Sequence, residues 1–365
     1  MSKKSRALPK PQAQMVRYPG LDLIRCIALL FVLVFHSYLN NGYYHEPQTG
    51  FSMWLAGSFR WLSVACIGLF LMLTGYLKSE NTSIKSCYKA LLTVGVGYFL
   101  AAAVSIPVRH FFLGTEQTFE KWIESLFKFN AVYYGWYVEM YLGLVLIIPF
   151  VNMALKNMTK TKHLLCFAGA MLVLTSLSGA TKMVIFPDYW RITYPVTYYV
   201  LGAVVRRLQP KFNPFLGILG ALSAAGVLGA FTVLSTDGKL DKALTWEFAD
   251  IWIVIIVFLL FVSLYRVDMR KVPAKILAVM SGGCFGGYML SHLFDAWVYK
   301  LYPAYKTPEK YILLFLVATL PIYFASLISG IGLQALVGVI LPNKKKQAEK
   351  LSFENSQKNK KLAKK

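Results

Sequence analysis

Acidic side chains are scarce. Only 17 Asp and Glu stand among 365 residues, and charged residues of both signs make up 15% of the chain. A soluble protein of this length carries about a quarter of its residues as charges, so a water-surrounded globule is excluded as the fold class. The cysteines are Cys26, Cys66, Cys87, Cys166 and Cys284, with no CxxC spacing and no pairing pattern. All fall in or beside apolar segments, which argues against a disulfide framework and against a zinc site. No P-loop, GxGxxG, HExxH or GxSxG stands in a credible context. An internal repeat is missing, and no linker is long enough to separate a second domain.

What is abundant is apolar. Hydrophobic residues make up 56% of the chain and aromatic ones 15%, and the mean hydropathy is +0.51. Many stretches of 18 or more apolar residues predict an all-α polytopic membrane protein. Ten spans are expected, at about 19–39, 58–77, 87–108, 134–155, 163–181, 192–208, 213–235, 248–266, 275–299 and 311–341. They form one transmembrane domain, 18–341, between a basic tail at 1–17 and a lysine-rich tail at 342–365, both expected to be disordered. The first basic run followed by an apolar segment has the outline of a signal peptide. No small-residue cleavage site follows Leu39, however, and Asp22, Arg25 and His36 interrupt the segment, so a retained span is expected.

A net charge of +22 would suit nucleic acid, but the basic residues sit in short loops and tails between spans. That is the positive-inside pattern. It places both termini in the cytoplasm, with most loop acids (Glu116, Glu120, Glu124, Asp237, Asp241) on the other side. The lysine-rich tail then reads as a segment drawn to anionic lipid headgroups.

The first span organises the rest. His36 follows Arg25 by eleven positions, about 20° beyond three helical turns, so the two share one face about 16 Å apart along the axis. Asp22 lies one turn before Arg25 on the same side. Ionisable groups in a lipid-length segment are costly and by default mark function. The bland alternative is an Asp22–Arg25 ion pair near the interface and a polar helix end at His36. With the N-terminus inside, Arg25 lies in the cytoplasmic third and His36, a natural general base, near the outer end.

Other candidates are weaker. Trp136 and Glu139 stand in an aromatic run, Tyr133 to Tyr141, and Arg191 lies beside Trp190, Tyr194, Tyr198 and Tyr199. Each set fits either an acceptor pocket or an interfacial aromatic belt. His292 and Asp295 are one turn apart and either face a cavity or pair with each other. Lys78, Lys85 and Lys89 follow the second span and could hold phosphates as point charges, although the positive-inside bias alone would place lysines there. Gly282 and Gly283 suggest close helix packing.

Four stretches in order resemble the acyltransferase-3 family of integral membrane acyltransferases. They are Arg17 to Ala28 with Val34 to Ser37, which holds the family's arginine and histidine, with ten residues between them, as Arg25 and His36; Gly68 to Leu77, with Thr74 where serine is usual; Trp136-Tyr137 through Gly143-Leu144 to Pro149; and Gly287 to His292. The resemblance covers nearly all of 17–341. It implies an O-acyltransferase of the cell membrane with no bound cofactor and no metal. The donor would be cytoplasmic acyl-CoA, most often acetyl-CoA, and the acceptor a hydroxyl of a surface glycan or lipid-linked sugar. His36 would be catalytic, with Asp22, Arg25, Lys85 and Lys89 holding the donor, and Trp136, Glu139, Arg191 and His292 are candidates for the acceptor pocket. Many members carry an R-x-x-R pair after the second span, where Lys85 and Lys89 are spaced differently. Some add a soluble esterase-like domain. A chain without one either completes the transfer itself or passes the acyl group to an extracytoplasmic partner. The alternative from another class is a transporter or flippase for a glycosidic or acylated lipid.

Overall fold

In the computed structural model of the protein, the described residues are 18–40, 43–45, 49–114, 118–177, 186–235, 247–301 and 308–342. The tails at 1–17 and 343–365, and the loop acids Glu116, Asp237 and Asp241, lie outside them.

Every regular element among the described residues is helical. In chain order these are α1 (Pro19–Asn40), α2 (Gly50–Lys78), α3 (Ile84–Phe111), α4 (Phe119–Phe127), α5 (Trp136–Asn157), α6 (Thr161–Leu172), α7 (Tyr194–Leu208), α8 (Pro214–Ser235), α9 (Ile251–Leu264), α10 (Lys271–Leu301) and α11 (Pro308–Ile340). Seven of them, α1, α2, α3, α5, α8, α10 and α11, are long and apolar enough to cross a membrane. The chain is an all-α, multi-pass membrane protein.

The fifth, sixth and eighth expected spans fall on shorter helices. These are α6 with its π-helical continuation Val173–Leu177, α7, and α9. At 1.5 Å per residue, α7 and α9 fall short of a hydrocarbon core of roughly 30 Å. The second span begins about two turns earlier than expected. Its first turns are fastened to α8, with Trp54 Nε1 donating to the Gly226 carbonyl at 2.9 Å and Trp61 Nε1 to Thr232 Oγ1 at 2.9 Å.

α2 is the centre of the bundle, packed against α1, α7, α8 and α9, with 78% of its most apolar window buried. Its crossing with α7 is backbone against backbone. A Cβ on Gly75 would lie 2.0 Å from the Tyr199 carbonyl oxygen, and one on Gly202 would lie 2.0 Å from that of Met72. Small residues at such crossings let helices approach where lipid supplies no hydrophobic drive. The pairing of α10 with α11 works the same way, with Gly283, Gly286 and Gly287 set against Ser326, Leu327 and Gly330. Gly283 thus packs closely as expected, whereas a Cβ on Gly282 would meet open space.

α1 bridges the two groups, touching α2 on one side and α10 and α11 on the other. It opens on Pro19, a residue suited to the first helical position because no N–H is needed there. The Gly20 amide, otherwise unpaired at a helix start, donates to the Val267 carbonyl at 3.0 Å. α1 is therefore fixed at its start and flanked along its length, which holds its polar face in place.

Candidate active site

Arg25 emerges from α1 into a cavity of about 350 Å³ whose walls include Lys78, Tyr137, Tyr141, Ser281 and Tyr288. Its Nη1 donates to Ser281 Oγ at 2.6 Å and lies 3.8 Å from Asp22 Oδ1. Asp22 is buried, while the Arg25 side chain keeps 30% of its surface open. The carboxylate and hydroxyl fix one edge of the guanidinium and leave the fork's remaining donors for a ligand.

Lys78 ends α2, and its position is set by a residue that the sequence reading passed over. The amide of buried Asn152, on α5, donates to the carbonyls of Lys78 at 2.9 Å and Asn81 at 2.7 Å. Tyr199 donates in turn to Asn152 Oδ1 at 2.7 Å. Asn152 thereby ties α5 to the turn after α2, adding a second donor to the Lys78 carbonyl, which also accepts from the Asn81 amide at 3.0 Å.

Toward the other end of α1, His36 is buried, and its Nδ1 has no hydrogen-bond partner. Its ring lies face to face with that of Tyr134, centroids 3.5 Å apart and planes 19° from parallel. The Tyr134 hydroxyl donates to Asp295 Oδ2 at 2.7 Å and accepts from Asn40 Nδ2 at 3.2 Å. Asp295 Oδ1 lies 2.9 Å from His292 Nδ1. His292 stacks on Tyr133 at 3.9 Å and meets the edge of Tyr134 at 5.4 Å. Tyr288 donates through its hydroxyl to the Tyr134 carbonyl. His292 and Asp295 therefore do pair, and through Tyr134 the pair reaches His36.

The cavity and the histidine cluster are neighbours with a partition between them. The lining includes Tyr137 and Tyr288 but not His36. The rings of Tyr137 and Tyr288 meet edge to face at 5.3 Å.

The remaining candidates are dispersed. Lys85 and Lys89 are exposed on α3 and lie outside the cavity lining, where Lys78 is the lysine present. Glu139 is exposed, although Tyr137 and Val138 beside it are buried. Trp136 is 42% exposed and stacks on Phe248 at 5.7 Å. Phe248 also meets Phe35, the neighbour of His36, at 6.1 Å and Tyr194 at 6.2 Å. Arg191 is buried in the 3-10 turn Asp188–Thr193 ahead of α7.

Like Asn152, Tyr134 and Ser281 are residues of this site that the sequence reading did not single out. Tyr134 lay in the quoted aromatic run, and Ser281 beside the glycines of α10. One side of the arrangement can hold an anionic or carbonyl-bearing ligand at Arg25. The other presents an imidazole whose unpartnered nitrogen can take a proton.

A family model described as an acyltransferase domain matches residues 18–332, most of the chain. No curated protein and no solved structure matches it.

Proposed function

The chain belongs to the acyltransferase-3 family, and we propose that it is an O-acyltransferase of the cell membrane that acylates, above all acetylates, a hydroxyl of a surface glycan or lipid-linked sugar from cytoplasmic acyl-CoA. One observation carries this reading: a single face of α1 presents Arg25 to a cavity and His36 to a buried aromatic and carboxylate cluster on the far side of Tyr137 and Tyr288.

In this mechanism Arg25, braced by Asp22 and Ser281, receives phosphate or pantetheine oxygens of the donor, and Lys78 adds a second positive charge to the same cavity. His36 accepts the proton of the acceptor hydroxyl as that oxygen attacks the thioester carbonyl. A C–O bond forms, the C–S bond breaks, and the departing thiolate takes up the proton collected by His36, leaving acyl ester and free coenzyme A. A variant in which His36 first carries the acyl group and then yields it to water, sugar or an extracytoplasmic partner uses the same residue as nucleophile. The cavity lining includes Tyr137 and Tyr288 and not His36, so in this reading those rings move aside for the thioester to meet the imidazole.

The test is release of coenzyme A thiol from acetyl-CoA by the full chain in vesicles, for the parent protein and for His36→Ala and His36→Gln. Release by the parent and its loss in both variants, with unchanged size-exclusion profiles, is expected. A fully active His36→Ala protein would sink the mechanism. Movement of a glycosidic lipid across vesicles without any acyl donor would place the chain among transporters instead.

A further inference from the structure

The link between α3 and α5 contains α4, a helix that does not cross the membrane and buries none of its residues. Its side chains are sharply sorted. At 100° per residue, Phe119, Trp122, Ile123, Leu126 and Phe127 fall within an arc of about 140°, and Glu120, Lys121, Glu124, Ser125 and Lys128 take the remainder. The apolar arc is itself divided. Its Trp122 flank turns to protein, with the indole edge-on to His110 at 5.3 Å and Leu126 packed against the core. The other flank, Phe119 (70% exposed), Ile123 (43%) and Phe127 (74%), is left largely open by the described residues.

The surroundings of that flank identify what covers it. α4 joins two consecutive membrane-length helices by links of a few residues, 112–118 and 128–135, so it lies where the bilayer surface must be. Phe111 and Phe112, where α3 ends and the link to α4 begins, are likewise large apolar residues left 73% and 63% exposed. A short helix with one apolar and one strongly charged face, at the end of a membrane-spanning segment, suits the zone between headgroups and acyl chains.

We propose that α4 lies flat in the membrane interface, with Phe119, Ile123 and Phe127 in lipid and Glu120, Lys121 and Glu124 in water. It is rigidly mounted. Tyr98 of α3 donates through its hydroxyl to the Leu126 carbonyl at 3.0 Å, and Arg109 Nη1 donates to the Asn130 carbonyl at 3.0 Å. The Asn130 and Ala131 amides both return to the Ser125 carbonyl, at 2.9 and 3.0 Å. Phe129 holds a left-handed backbone, φ 55°, unusual for a bulky side chain, with its ring 4.9 Å from that of Tyr98. A Cβ on Gly135 would strike the Phe129 carbonyl at 1.9 Å. The segment that carries Tyr133 and Tyr134 to His292 and His36 is thus bolted to α4. An interfacial α4 fixes the depth of that cluster beneath the headgroups.

The test reads depth, not activity, so it stands apart from the fate of the acyltransferase mechanism. In the full chain with Cys166→Ser, the one exposed cysteine among the described residues, bimane is attached to single cysteines introduced as Phe119→Cys, Ile123→Cys, Phe127→Cys, Lys121→Cys and Glu124→Cys. The protein is placed in vesicles of phosphatidylcholine and phosphatidylglycerol and quenched by lipid doxyl-labelled near the headgroup or by aqueous iodide. The ratio of lipid to iodide quenching should be about threefold or more higher at 119, 123 and 127 than at 121 and 124. Equal ratios at all five positions would overturn the proposal, as would higher iodide quenching at 119, 123 and 127. All five positions lie on α4, which buries no residue, so the labels should leave the fold intact. A label at 123 and one at 124 alone decide the matter should any other variant fail to fold.

Discussion

The Tyr134 ring covers one face of the His36 imidazole, and Tyr134 is itself held by Asp295 at 2.7 Å. The histidine is therefore oriented by a neighbour's ring plane, and the carboxylate that would ordinarily bond an imidazole N–H acts one residue further out. Tyr134→Phe keeps the stack but leaves Asp295 Oδ2 without this donor, a loss of about 1–3 kcal/mol for a buried group. Turnover should fall about tenfold, and further for Tyr134→Leu, which loses the stack as well. Tyr134→Phe combined with Asp295→Ala should be no slower than Asp295→Ala alone, because Asp295→Ala already removes the acceptor of the Tyr134 hydroxyl along with the partner of His292. Thiol-release kinetics on the four proteins measure this, and additive losses would show that the two residues act separately.

Arg25 meets the cavity while Lys85 and Lys89 do not. Arg25→Lys surrenders the fork that bonds Ser281 while keeping the charge, and should raise the KM for acetyl-CoA about tenfold with a smaller change in kcat. Lys85→Ala and Lys89→Ala should each stay within about twofold of the parent, as exposed charges contribute little. Titration of donor concentration distinguishes these outcomes.

Gly282 and Gly202 make opposite predictions. Nothing lies within 4 Å of a Cβ placed on Gly282, which lines the cavity. Gly282→Leu should weaken donor binding and leave the melting temperature within about 2 °C of the parent. Gly202→Ala forces α2 and α7 apart at the Met72 carbonyl, and should cost about 1–3 kcal/mol. Intrinsic-fluorescence melts in detergent give both values.

Asn152 works as a donor to two carbonyls and as an acceptor for Tyr199. Asn152→Asp retains only the acceptor. It should destabilise the protein at least as much as Asn152→Ala, by about 1–3 kcal/mol, chiefly at the Asn81 carbonyl because that of Lys78 keeps the Asn81 amide. A melt in which Asn152→Asp matches the parent would show that the carbonyls find other partners.

The shared face of Arg25 and His36 was legible because helical spacing alone fixes it, and the His292–Asp295 pair was legible for the same reason. Tyr134 was not. One tyrosine in a run of aromatics resembles a belt residue until the fold brings α1 and α10 against it, and Asp295 lies 161 positions away in the chain. The positive-inside bias expected of lysines cannot tell Lys78 on the cavity wall from Lys85 and Lys89 outside it. α4 escaped notice because nine residues are too few for a span-length hydropathy window, although its sorted faces were present in the sequence. The early start of α2 depends on indole hydrogen bonds to α8, which hydropathy does not register.

The partition formed by Tyr137 and Tyr288 has a bearing on the cell's energetics. A bundle with polar groups along one helix, open from end to end, would leak protons and salts and run down the gradients across its membrane. The two phenol rings meet edge to face, Tyr288 is anchored to the Tyr134 carbonyl, and the cavity lining includes both rings and neither His36 nor His292. On the acyltransferase mechanism proposed above, the barrier would yield only for a thioester tip, and acyl groups would be exported without short-circuiting the bilayer.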